Sequence, residues 1–229
     1  FKSAGGREQF DEVSIHLDRN DKDDPNTNEE AMAALRINVK SKDKELVGRL
    51  FSAKIIELAL SNYPGFFAGG GVKSGGPVLI YWPALVDSKH INEVVHFNGK
   101  SKELKPTSQL NFEEIYYQTE PVKIPDAPKG ETSHVPLGTL FGARSGDKGG
   151  CANLGVWAKD LDAFAFLSSF LTIEKLKELM PDLKEFKIER FDLPNILSLN
   201  FYIHDILEDG VSSNSRKDAQ AKSLGEYLR

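Results

Sequence analysis

The densest concentration of chemically useful side chains in this 229-residue sequence is Arg144-Ser145-Gly146-Asp147-Lys148-Gly149-Gly150. Three glycines in so short a stretch permit positive φ and let backbone N–H groups approach a ligand closely, while Arg144 and Lys148 supply positive charge. A phosphate or carboxylate is the natural guest. Arg144 would hold it through two parallel hydrogen bonds, Lys148 as a point charge and Ser145 as a neutral donor, with the backbone of Gly146 and Gly149 close by. Were the site catalytic, Asp147 is the candidate acid or base and Ser145 the candidate donor or nucleophile, although no triad or metal motif selects a mechanism. The stretch is not a Walker A loop: Lys148 is followed by Gly149 rather than Ser or Thr, and a strand pattern rather than a helix comes next. The competing reading is a solvated hairpin in which Asp147 pairs with Lys148 or Arg144.

A second constellation is Arg216, Asp218 and Lys222. Asp218 and Lys222 are four apart on an expected closing helix, 218–228, and would share a face. They form either an ordinary surface ion pair or, with Arg216, an extension of the anion pocket around Arg144. Other groups carry less. The acidic residues Asp21, Asp23, Asp24, Glu29 and Glu30 could offer oxygen ligands to a hard cation, but their spacing is not that of an EF-hand, and a solvated turn is the better reading. No histidine pair has metal spacing, so no metal site is expected. His204, with Asn200 and Tyr202, reads as a surface or subunit contact before a ligand-binding face. Cys151 could be a nucleophile beside Lys148, but without a base it is better taken as a small strand residue.

The elements that must position these groups are legible from periodicity. Val135, Leu137, Thr139, Phe141 and Ala143 alternate, as do Ala152, Leu154, Val156 and Ala158, implying two strands joined by the glycine-rich loop. Leu161, Phe164, Leu167 and Leu171 follow the helical period; Thr172 starts a shorter helix ending at Met180-Pro181. Leu197, Leu199, Phe201 and Ile203 then face one way, with Ser198, Asn200, Tyr202 and His204 opposite. Strand, strand, helix, strand, strand, helix predicts an antiparallel sheet with helices on one face, an α+β two-layer sandwich. Upstream, Phe10–Leu17 and Arg36–Lys40 read as strands, Thr27 and Glu30 as a capping box, and Ser52–Tyr63 as a helix stopped by Pro64-Gly65. After the glycines at 69–71, 75 and 76, the apolar run Val78-Leu79-Ile80-Tyr81-Trp82 suits a strand covered on both faces. Prolines at 121, 125 and 128 mark 118–134 as a linker between a first unit, 1–117, and a second, 135–229.

Composition excludes several classes. The 40% hydrophobic and 28% charged fractions are those of an ordinary globular chain, whose folding should bury roughly 70% of its unfolded surface. A net charge of −5 gives no footprint for nucleic acid. One cysteine rules out an intrachain disulfide and suits a reducing compartment. The apolar stretch 161–171 is too short to span a membrane, and the opening residues lack the charged start and apolar centre of a secretory signal.

His134-Val135-Pro136-Leu137-Gly138-Thr139-Leu140 leading into Arg144–Gly149, then Asn153-Leu154-Gly155-Val156, resembles the carboxy-terminal ferredoxin-like domain of the acyclic terpene utilisation AtuA family. The tail Asp209-Gly210-Val211-Ser212, Arg216, Asp218, Lys222 and Leu224-Gly225 agrees. The first unit resembles the end of the family's larger amino-terminal α/β domain through Asp24–Glu30, Glu45-Leu46-Val47-Gly48-Arg49, Glu57–Leu60, Tyr63–Phe66 and Trp82–Val86. Family members are longer at the amino end, so the numbering is expected to open inside a longer gene product, leaving any active site shared with that portion incomplete. The resemblance implies a role in breakdown of branched or terpenoid carboxylic acids through acyl-CoA thioesters, as an enzyme or enzyme subunit. It adds Asn153 to the ligand-binding set. No cofactor is implied beyond a CoA thioester as substrate. The expected partners are a small anionic substrate and a second copy of the chain, or the subunits of an acyl-CoA carboxylase, the last as a non-catalytic assembly module. Neither nucleic acid nor membrane is expected. The expected location is cytoplasmic, or the mitochondrial matrix for a eukaryotic source.

Overall fold

The computed structural model describes residues 1–58, 64–68, 75–104, 122–131 and 133–229, in two compact units, Phe1–Leu79 and Ile80–Arg229. The first holds an antiparallel pair, β1 (Glu12–Asp18) and β2 (Ala34–Lys40), in register from Glu12 opposite Lys40 to Asp18 opposite Ala34. Helix α1 (Phe51–Leu58) follows a π-turn at Leu46–Leu50. The rest of the expected helix, 59–63, and the glycines at 69–71 lie outside the described residues. Phe10 is buried between the rings of Phe1 and Phe51.

The capping box is half realised. Thr27 Oγ1 accepts from the Glu30 N–H at 3.3 Å, but the Glu30 carboxylate accepts from the Asn26 N–H and from Lys22 rather than returning to Thr27. Only a single 3-10 turn, Glu29–Ala31, follows, because the chain enters β2 at Ala34. The acidic stretch around it resolves into ion pairs, Arg19 with Asp21 and Lys22 with Glu30.

The apolar run Val78–Trp82 corrects the sequence expectation. It forms no strand among the described residues, and its side chains are exposed, Trp82 at 84%. Apolar character favours a buried strand only where neighbouring strands supply hydrogen-bond partners. Here the Tyr81 N–H finds a single acceptor, the Asp209 carbonyl, at 3.0 Å. Further along, β3 (Glu93–Phe97) and β4 (Lys100–Leu104) form an exposed hairpin. Of the expected 118–134 linker, residues 118–121 and 132 lie outside the described set.

The second unit is built around four antiparallel strands, β5 (Gly142–Lys148), β6 (Cys151–Trp157), β7 (Ile188–Leu193) and β8 (Ser198–Ile203), in spatial order β5-β6-β8-β7. Helices α2 (Leu161–Phe170) and α3 (Ile173–Leu179) link the two hairpins, and α4 (Leu224–Leu228) packs against β5. The expected α+β arrangement with helices on one face is therefore present. Ala152, Leu154 and Val156 of β6 and Leu199, Phe201 and Ile203 of β8 are fully buried beneath Phe164, Leu167 and Leu176. Alternation turns Asn153, Gly155, Asn200 and Tyr202 to the opposite, helix-free face. Asp160 caps α2 through the Ala163 N–H, and Thr172 caps α3 through the Lys175 N–H, the start read from the sequence. Arg190 closes the other end of α2 by donating to the Ser168 and Leu171 carbonyls.

Two expected elements change shape. The alternating stretch from Val135 contains a 3-10 turn, Leu137–Thr139, and the strand begins only at Gly142. The closing helix is confined to Leu224–Leu228. Before it, the Asp218 carboxylate accepts from the N–H groups of Lys222 and Ser223 and from Ser223 Oγ at 2.7–2.9 Å, fixing a turn instead of a helical face.

Candidate functional site

Arg144 to Lys148 are not a loop. They are the second half of edge strand β5, in register with β6 from Arg144 opposite Gly155 to Lys148 opposite Cys151, and only Gly149 and Gly150 form the turn. The backbone amides of an edge strand point alternately toward and away from its neighbour, so they cannot converge on one anion as they do in a phosphate-binding loop. The glycines of the turn answer to the protein itself. Gly149 is left-handed, φ +64°, and a Cβ there would lie 2.9 Å from the Tyr81 ring; Gly210, φ +112°, faces Tyr81 at 3.1 Å. Tyr81 thus occupies a seat made by two glycines whose motifs lie far apart in sequence.

Side chains rather than amides make the site. On the helix-free face, Arg144, Gly146 and Lys148 of β5 stand beside Asn153, Gly155 and Trp157 of β6. They line a cleft of about 380 Å³ that also reaches Ser198 and Asn200 on β8, Leu193 and Ile196 at the end of β7, and Lys222. Lys222 wraps the edge of β5. Its ammonium is 3.7 Å from Asp147, and a Cβ on Gly146 would lie 2.8 Å from Nζ, so Gly146 is what lets Lys222 cross. Lys148 donates to the Asp147 carbonyl at 2.8 Å. Asn153 Nδ2 donates to Asn200 Oδ1 at 3.3 Å across the floor.

Ser145 points to the other face. It is buried, and its Oγ accepts from the Gly225 N–H of α4 at 3.0 Å. Gly225 is itself pressed on β5: a Cβ there would come within 3.2–3.3 Å of the Ala143 and Arg144 backbone. Arg216 does not line the cleft. Its N–H donates to Asn214 Oδ1, and its charge acts on Asp218. Burial pushes the Asp218 carboxyl up, but the hydrogen bonds from Ser223 and Lys222 and the charge of Arg216 outweigh it and leave the pKa lowered. Asp218 and Lys222 therefore do not form the expected ion pair along a helix; Asp218 shapes the turn from which Lys222 reaches Asp147. Cys151 is half-buried, and its thiol, together with burial, raises the Tyr202 pKa. His204, past the end of β8, bonds Glu189 Oε1 at 2.6 Å and holds that carboxylate low. Among the described residues no group of His, Cys, Asp and Glu is placed to hold a metal ion, and no helix is long and apolar enough to cross a membrane.

The model of the AtuA ferredoxin-like domain matches residues 135–229, and that of the acyclic terpene utilisation family protein AtuA matches residues 2–97. The chain belongs to the AtuA family. No curated protein and no solved structure matches it. AtuA membership supports a catabolic role, and the four-stranded sheet with its helices is the ferredoxin-like domain. The sequence reading of this AtuA domain missed Trp157, Gly155, Leu193 and Ile196. The first two share the parity of Asn153, so alternation along β6 contained the signal; the others come together only through strand pairing.

Proposed function

We propose that this AtuA protein acts in catabolism by binding the anionic end of a branched or terpenoid carboxylic acid, or of its CoA thioester, at the β5 edge of the ferredoxin-like domain. The observation that supports this most directly is the charge imbalance there. Arg144, Lys148 and Lys222 line one cleft, Asp147, which shares the strand parity of Ser145, approaches it through its 3.7 Å contact with Lys222, and Arg144 has no ion pair among the described residues. Concentrated cations in a chain of net charge −5 favour an anionic guest. Arg144 supplies the planar fork that suits a carboxylate or phosphate. In this reading the protein is an enzyme or enzyme subunit, Asp147 is the acid–base group at that edge, and Ser145 holds α4 behind it through Gly225.

The test is calorimetric titration of CoA, a short branched acyl-CoA and the free acid into the wild-type chain and Arg144→Ala. The reading requires at least tenfold weaker binding to the variant; equal affinities sink it. A second reading, in which the domain is an assembly module joining copies of the chain or acyl-CoA carboxylase subunits, draws support from Phe191, exposed at 47% on the same helix-free face. Sedimentation of wild type and Phe191→Ala separates the two, since only an assembly role makes mass depend on Phe191.

A further inference from the structure

Gly155 sits in the middle of β6, where a glycine weakens a strand because it adds backbone freedom and packs nothing. The other glycines around the cleft have an internal reason to lack a side chain. A Cβ on Gly142 would fall 2.2 Å from the Trp157 indole, one on Gly146 would meet Lys222 at 2.8 Å, and one on Gly225 would meet the backbone of β5. Gly155 has none. Its nearest neighbours to a Cβ are the Arg144 carbonyl at 3.6 Å and Asn200 Oδ1 at 4.0 Å, both ordinary contacts. The missing side chain opens a trough on the cleft floor, with Arg144 on one flank and Asn200 on the other, in cross-strand register.

The trough has two chemically distinct ends. Arg144 and Lys222 stand at the β5 edge; Leu193 and Ile196, exposed at 41% and 66%, stand at the far corner by the end of β7, and Trp157, exposed at 42%, walls the side between them with its indole over Gly142 of β5. From β5 to β7 is three inter-strand steps, about 14 Å. Asn153 and Asn200 lie between, offering a donor and an acceptor to a carbonyl or hydroxyl along the way.

We propose that the trough over Gly155 receives the hydrocarbon chain of a medium-length aliphatic acid, its carboxylate or thioester end at Arg144 and Lys222 and its tail against Trp157, Leu193 and Ile196. This rests on the anion-binding reading above and adds to it the polarity and the length of the ligand. Acetate satisfies only the charged end, whereas octanoate also lays methylenes along the trough toward the apolar end. The acyl chain of a CoA thioester lies in the trough with the nucleotide outside it.

The experiment is calorimetric titration of acetate and octanoate into the full chain as wild type, Gly155→Val, Trp157→Ala and Arg144→Ala, with circular dichroism establishing that each variant is folded. The expected result is octanoate binding about tenfold or more tighter than acetate, the benefit of burying several methylenes. Gly155→Val and Trp157→Ala each remove most of that advantage and leave acetate unchanged, while Arg144→Ala weakens both acids. Equal affinity of the two acids for wild type overturns the trough and spares the anion site if Arg144→Ala still weakens both. Octanoate binding that responds to Gly155→Val but not to Arg144→Ala overturns the anion site instead. A failure of both acids to bind, or a dimer by sedimentation that Trp157→Ala dissociates, overturns the proposal. If Gly155→Val does not fold, Trp157→Ala carries the test.

Discussion

Lys222 crosses the edge of β5 to place its ammonium 3.7 Å from the Asp147 carboxylate and over Gly146, where a Cβ would lie 2.8 Å from Nζ. The end of a lysine side chain moves at little cost, so Gly146→Ala should displace Lys222 while changing stability by no more than about 1 kcal/mol. Anion affinity should fall several-fold, matching Lys222→Ala, and the double variant should be no worse than either alone. Titration of acetate into the three variants measures this; additive losses would mean that Gly146 and Lys222 act separately.

Gly225 faces backbone, which cannot yield as a lysine can. Gly225→Ala must push α4 away from β5 and break the bond from its N–H to Ser145 Oγ. Overpacking of this kind costs about 1–3 kcal/mol. Ser145→Ala leaves the buried Gly225 N–H without its acceptor, for a loss also of about 1–3 kcal/mol. Urea unfolding of both variants reads the two losses.

The turn at Asp218 should respond to acid. The folded carboxyl has a lowered pKa, since its hydrogen bonds outweigh burial, so its stabilising effect is present above the unfolded value of about 3.9 and is lost as pH falls through the lower folded value. Amide exchange at Lys222 and Ser223, after correction for the intrinsic rate, should therefore be protected near neutrality and lose protection below about pH 4. Asp218→Asn should weaken that protection already at neutrality and flatten its dependence on acid.

Tyr81 is held by Gly149 and Gly210 and by its N–H to the Asp209 carbonyl. Gly149→Ala combines a left-handed backbone with a Cβ 2.9 Å from the ring and should release the segment, as should Tyr81→Ala. Limited proteolysis around residues 79–86 should be several-fold faster in both variants than in wild type, and Gly76→Ala, where a Cβ meets nothing within 4 Å, should leave it unchanged.

Period-two alternation in β6 and β8 and the start of α3 are local, and residue types suffice to read them. Ala152, Leu154 and Val156 face inward against Leu199, Phe201 and Ile203 because a strand turns successive side chains to opposite faces whatever surrounds it. Thr172 caps α3 because its hydroxyl needs only an N–H three residues on. Residue type alone marks Arg144 and Lys148 as a cationic pair. Whether Gly146 belongs to a loop or a strand depends on β6 lying alongside. Whether Lys222 meets Asp147 depends on the turn set by Asp218, and the exposure of Val78–Trp82 depends on the lack of a pairing strand among the described residues. Composition and periodicity thus determined which residues face inward and where the charge lies. Tertiary structure decided which charges share a cleft and which glycines leave space, because those are matters of register between segments distant in sequence, which no local preference contains.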